Sequence, residues 1–322
     1  MPSAHNAIPV SRSLPNWAER SHPLGWLIEQ LLAIGPLRQL LFWQARKLVI
    51  RTAESRGIPW RERCQSLQSQ AEPLLAASTN PATAIPAYYR APFHAYPQGN
   101  LCWQAACEAE QAATALAVRI WHQQDLSPAD AEQRMRQAIF DLIEPSLNAP
   151  LRRVLDLGCS VGVGTQALKH WLDQRQAQPV QVEGLDLSPQ MLAVARVRDP
   201  QAKIAQWHHA AAEDSGLQSG SFDLLTLQFL CHELPAERCL AVLREAKRLL
   251  RPAGVLAVAD QDPNSKAIRT MPAPLASIFK STEPYINDYY RLDLPAAIRQ
   301  VGFRQLRQHA SDPRHWVVVA LA

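Results

Sequence analysis

"VLDLGCSVGVGT" (Val154–Thr165) decides how the rest of this 322-residue chain is read. A short apolar run, "RVLDLG", reads as a buried strand that carries Asp156 near its end. Gly158, Gly162 and Gly164 then turn the chain into a helix, "TQALKHWLDQ", with Leu168, Trp171 and Leu172 on one side. Glycine at such a turn permits a tight backbone and close approach of a ligand. Doubly wound sheets bind ligands at this place, the carboxyl end of a strand.

Working outward, the pattern repeats. "VQVEGLDL" is a second strand, and "SPQMLAVARV" a helix that opens with a Ser-Pro cap. "IAQWHH", "FDLLTLQF" and "GVLAVAD" are three further strands, with the helix "PAERCLAVLREAKRLL" before the last. Strands separated by crossover helices specify an α/β fold with a parallel, doubly wound sheet. The chain closes with the helix "DLPAAIRQVGF", the strand "RQLRQHA", the turn "SDPR" and the strand "HWVVVALA". That closing hairpin puts an antiparallel strand into an otherwise parallel sheet.

Two ligands compete for the glycine turn. Gly162, Gly164 and Ala167 match the spacing G-x-G-x-x-A of a dinucleotide site, with Asp186 about 20 residues on as the ribose acid. That fingerprint wants its first glycine directly after the strand, however, and here the turn begins at Gly158. The observed G-x-x-x-G-x-G, two places after an acid, resembles motif I of the class I S-adenosylmethionine-dependent methyltransferases. The resemblance covers about residues 151–322 and implies a seven-stranded sheet with a reversed last strand. It implies S-adenosyl-L-methionine as cofactor, with S-adenosyl-L-homocysteine as product.

By the same resemblance, Asp156 helps hold the methionine ammonium group, and Gly158 and Gly162 admit the ligand to the backbone. Asp186 accepts hydrogen bonds from the ribose hydroxyls, and Glu213 and Asp214 stand near the adenine amino group. Cys159 in the turn, Leu187 and Met191 after the second strand, and Gln228 and Phe229 after the fourth complete the expected cofactor set. His232 and Glu233 follow the fourth strand beside the expected methyl group. A histidine there can act as a base near neutral pH or orient an acceptor hydroxyl, or it can simply cap the next helix. The segment "DPNSKAIRTMPAPLASIFKSTEPY" and the aromatic stretch described below are similar to a group of methyltransferases of cyanobacteria and plastids.

Composition narrows the acceptor. Apolar residues make up 47% of the chain and charged residues 19%, as in a protein with a real core. The six cysteines show no CxxC pair, and they read as reduced thiols of a cytoplasmic protein without metal ligation. No secretory leader is expected from the first residues. Residues 1–63 hold nine Lys/Arg against four Asp/Glu, so the rest of the chain is slightly acidic. A basic amphipathic N-terminal region suits peripheral contact with an anionic membrane, or a pair of helices whose apolar stripe docks on the body. The body lacks the basic face that nucleic acid demands. After the fourth strand "QFLC" replaces the Asn-Pro-Pro-Tyr type of adenine- and glutamine-methylating enzymes.

These features favour a small-molecule acceptor. Aromatic residues suggest an apolar one, of quinone, prenyl-lipid or polyketide-like type. They lie in "AYYRAPFHAYPQGNLCW" (Ala87–Trp103) and in "AIRTMPAPLASIFKSTEPYINDYYRL" (Ala267–Leu292), which follows the fifth strand and would overhang the site. Tyr88, Tyr89, Phe93, His94, Tyr96, Tyr285 and Tyr289 are the candidate acceptor residues, the first five forming either a lid or a hydrophobic strap. A protein or RNA methyltransferase docking through the basic N-terminus, and a non-catalytic binding protein on the same fold, are the alternatives. Three regions result: a basic helical region (1–86), a cap (87–150) and a cofactor domain (151–322).

Overall fold

In the computed structural model, residues 8–11, 14–15, 17, 30–31, 34–94, 96–147 and 150–322 are described. Part of the basic N-terminal region (1–86) therefore lies outside the described residues. The helices ahead of the sheet are α1 (Gly35–Glu54), α2 (Trp60–Ala71), α3 (Trp103–Ile120) and α4 (Pro128–Ile143). The sheet region follows as β1 (Arg153–Leu157), α5 (Val163–Asp173), β2 (Gln181–Asp186), α6 (Pro189–Arg198), β3 (Gln206–His209), β4 (Phe222–Gln228), α7 (Ala236–Leu249) and β5 (Leu250–Gln261). Next come α8 (Lys266–Arg269), α9 (Ala273–Thr282), α10 (Ile286–Arg291), α11 (Leu294–Gln300), β6 (Arg304–Ala310) and β7 (His315–Leu321).

The strand order is β3-β2-β1-β4-β5-β7-β6. β1 to β5 pair in parallel, while β7 runs antiparallel to both β5 and β6, as the closing hairpin predicts. The chain steps from β1 outward to β3, then returns to place β4 on the other side of β1. The crevice at that reversal is where open α/β sheets bind ligands. Register brings Asp156 between Gly184 on β2 and Thr226 on β4. β7 is buried along most of its length, whereas β6, "RQLRQHA", is exposed and polar, which blunts its free edge.

The N-terminal helices are packed onto the sheet layer. Within α6, Met191 to Ala195 are all buried, a run that no surface helix would carry. Leu67 and Ala71 of α2 and Ala105, Ala106 and Cys107 of α3 form one core with Met191, Ala193 and Val194. Trp17 is buried under the segment after β5, its indole N–H donating to the Ile268 carbonyl at 2.7 Å. α1 docks only in part: Ile50 and Ala53 are buried, while Leu40, Trp43 and Leu48 are 52%, 49% and 67% exposed beside Lys47 and Arg51. Among the described residues, no helix is long and apolar enough to cross a membrane.

Candidate functional site

The residues singled out from the sequence meet, for the most part, around one cavity of about 610 Å³ above the β1/β4 crevice. At its floor the turn after β1 is held in left-handed backbone at Gly158 (φ 73°), Ser160 (φ 50°) and Gly162 (φ 75°). A Cβ at Gly162 would fall 2.5 Å from the Trp207 ring. Glycine is therefore demanded there by conformation and packing together.

Three acids face this floor. Asp156 is 1% exposed and accepts from Thr165 Oγ1 (2.7 Å), Thr226 Oγ1 (2.6 Å) and Gln228 Nε2 (3.2 Å). Burial raises its pKa, against the pull of those three donors and of Arg136. Asp186 accepts from the backbone N–H of Ser160 and of Ser188, both at 2.8 Å, and burial raises its pKa as well. Glu213 accepts from the Tyr88 hydroxyl at 2.6 Å. Cys159, Leu187, Met191, Gln228 and Phe229 also line the cavity; Asp214 is exposed and does not.

Another part of the lining holds two histidine–carboxylate pairs. His232, 7% exposed, places Nδ1 2.7 Å from Asp260 Oδ1, and its backbone N–H reaches Asp260 Oδ2 at 3.2 Å. Burial alone would depress its pKa, but the charge and hydrogen bond of Asp260 outweigh that and lift it to about 9. His94 places Nε2 2.7 Å from Glu283 Oε1 and is 43% exposed, with the cavity on its open side. Between them Glu233 accepts from Asn100 Nδ2 at 3.0 Å. Burial pushes Glu233 up to about 7, with His94 and His232 pulling it down and Glu283 and Asp186 pushing it up. The remaining walls are mostly apolar, including Leu116, Leu275, Ile278 and Phe279.

The aromatic stretch divides. Tyr88, Tyr89, His94 and Tyr96 line the cavity. Tyr89 Oη lies 3.5 Å from Asp186 Oδ1, and the Tyr96 hydroxyl donates to Glu108 at 2.6 Å. Phe93 instead is 5% exposed, away from the cavity, and packs on His94. Of the later residues, the Tyr285 hydroxyl donates to the Tyr88 carbonyl (2.8 Å) and that of Tyr289 to the Gln261 carbonyl (2.6 Å), so both brace the wall from behind.

Reading the sequence alone misses Asp260, Glu283, Asn100, Arg136, Arg119 and Arg314, all but Asp260 in the cavity lining. Asp260 had a signal, an acid ending a buried strand. Arg136 lies inside a helix pattern with nothing to mark it. It is 6% exposed, and donates to Gln228 Oε1 at 3.1 Å.

Residues 155–258 match the family described as "Methyltransferase domain". An uncharacterised methyltransferase of Synechocystis is 30% identical over 179 residues, 55% of this chain and 77% of that protein. A ubiquinone biosynthesis O-methyltransferase of Xanthomonas campestris is 30% identical over 148 residues, and the chain spans 56% of its length. In three dimensions a Nostoc punctiforme structure, provisionally named an O-methyltransferase, covers 80% of this chain and 69% of its own at a TM-score of 0.51 and 20% identity. That likeness concerns the fold.

Proposed function

The chain belongs to the class I S-adenosylmethionine-dependent methyltransferases, and from that premise we propose that it methylates a small acceptor with an apolar or aromatic body. One observation carries the reading. A single cavity runs from Asp186 and Glu213 to His232 and Glu233, and its acceptor end is walled by Leu116, Leu275, Ile278 and Phe279.

The donor set fits the cofactor. Asp186 and Glu213 offer acceptor oxygens for ribose hydroxyls and an adenine amine, and Asp156 offers a carboxylate for the methionine ammonium. Arg136, beside Gln228, supplies a cation for the methionine carboxylate. When bound, the cofactor supplies an electrophilic methyl group on a sulfonium. The protein's part is to exclude water, align the acceptor and manage its proton.

His232 and Glu233 divide that last task. With its pKa lifted to about 9, His232 is protonated at neutral pH, so it donates a hydrogen bond to the acceptor atom rather than removing its proton. Glu233, poised at about 7, is the group that takes the proton. The quinone-like and prenyl-lipid-like classes both suit such a site. Labelled methyl donor, incubated with the protein and with lipophilic and polar extract fractions in parallel, tests the proposal. Labelled product is expected in the lipophilic fraction; label confined to polar acceptors would overturn the apolar assignment. Tight cofactor binding with no product from either fraction would favour a non-catalytic role.

A further inference from the structure

We propose that the acceptor carries an anionic group, a carboxylate in the simplest case, which Arg314 and Arg119 hold at the apolar end of the cavity. The inference rests on the acceptor reading above and names its substrate class more closely. Arg314 stands on the turn between β6 and β7, half-buried, with its guanidinium 5.8 Å from the Phe279 ring centroid. Arg119 comes from the last turn of α3 and is exposed at the cavity's edge. Both line the cavity.

Neither guanidinium takes part in an ion pair among the described residues, and neither Asp312 nor Glu283 pairs with Arg314. Asp312 accepts from His315 Nδ1 at 2.8 Å and from the backbone N–H of Arg314 and His315 at 2.7 and 2.9 Å. Glu283 pairs with His94 through one oxygen, and its other oxygen is buried without a partner, so Arg314 does not reach it. Burial lowers the Arg314 pKa and the Arg119 charge lowers it further, with Tyr290, Asp312 and Glu283 pulling it back up only in part. A half-buried cation that feels a second cation and has no carboxylate in ion-pair contact is an unfavourable arrangement. A carboxylate lodged between the two would relieve both, through charge-assisted hydrogen bonds that a planar guanidinium makes well. Leu116, Ile278 and Phe279 line the same cavity, so the acceptor is an amphiphilic acid. Its apolar body packs on those walls, its anionic group meets the arginines, and the atom to be methylated lies toward His232 and Glu233.

Calorimetry on protein saturated with S-adenosylhomocysteine, titrated with 2-naphthoate and with its uncharged partner 2-naphthamide, tests this. Naphthoate is expected to bind about tenfold tighter than the amide. Arg314→Gln and Arg119→Gln are each expected to remove most of that advantage while leaving naphthamide affinity unchanged. Arg119 is exposed, so its variant remains informative should Arg314→Gln fail to fold. Equal affinity for the two probes, no binding of either, or variants that keep the preference would overturn the anion site. The cofactor titration separates the two levels. Wild type that fails to bind S-adenosylhomocysteine strikes the methyltransferase reading, whereas cofactor binding without anion preference strikes the anion site alone.

Discussion

At the proposed cofactor end of the cavity, Asp156, Asp186 and Glu213 stand at or just beyond the ends of β1, β2 and β3, each delivered by the strand that precedes it. At the proposed acceptor end, His94, His232, Glu283, Arg119 and Arg314 come from five separate places: the aromatic stretch before α3, the turn after β4, the segment after α9, the end of α3 and the β6–β7 turn. The first end is a property of a sheet; the second is a property of how loops and helices close over it. A doubly wound sheet fixes strand ends to within a residue, while its long connections are free to carry different chemistry.

The largest expected effect tests the rigid end. Gly162→Ala should cost about 2–6 kcal/mol of stability, from left-handed strain and the collision with Trp207 together. Urea unfolding within error of wild type would mean that the turn is not held as described. Phe93→Ala asks whether the acceptor end also contributes to stability. Truncating this buried ring should cost about 3–5 kcal/mol in the same assay while cofactor affinity is kept. His94→Ala beside it should instead lower turnover more than melting temperature, because His94 faces the cavity and Phe93 does not. The reverse pattern would make the whole stretch a strap.

The pH dependence of stability comes next. The folded state raises the His232 pKa from 6.5 to about 9, so the stabilisation is fully present below pH 6.5 and is lost as pH rises through about 9. Its size is about 3 kcal/mol. Asp260 supplies the raising contact, with Glu283 and Glu233 assisting; Asp260→Asn should flatten the melting-temperature curve across that window. An unaltered curve would remove His232–Asp260 from the account of this end. Smallest, and confined to the cofactor end, Asp186→Ala should weaken S-adenosylmethionine binding by about 1–3 kcal/mol in calorimetry. Unchanged affinity would count against the placement of the ribose at Asp186.

The contrast between the two ends is also a contrast in what could be read from residues alone. All seven strands of the sheet, the Ser188–Pro189 helix start and the reversed last strand are legible locally, since period, caps and turns act over a few neighbours. The strand-end acids were legible for the same reason, and Asp214 was paired with Glu213 because spacing alone does not say which of two adjacent acids turns inward. Tyr285 and Tyr289 looked like site residues by composition, yet they brace the wall from outside it.

The amino-acid sequence by itself determined the doubly wound sheet, the glycine turn and the acids that follow β1, β2 and β3, because short-range periodicity and backbone permissiveness specify them. Only the tertiary structure decided that His232 meets Asp260, that His94 meets Glu283, and that Arg119 and Arg314 share a cavity. Those pairs join positions 28 to 195 residues apart, and their separation in the chain carries no period, cap or turn to reveal them. Packing of the aromatic stretch and of the segment after β5 over the strand ends brings them together, and against the lowering effect of burial the Asp260 and Glu283 carboxylates raise the pKa values of His232 and His94.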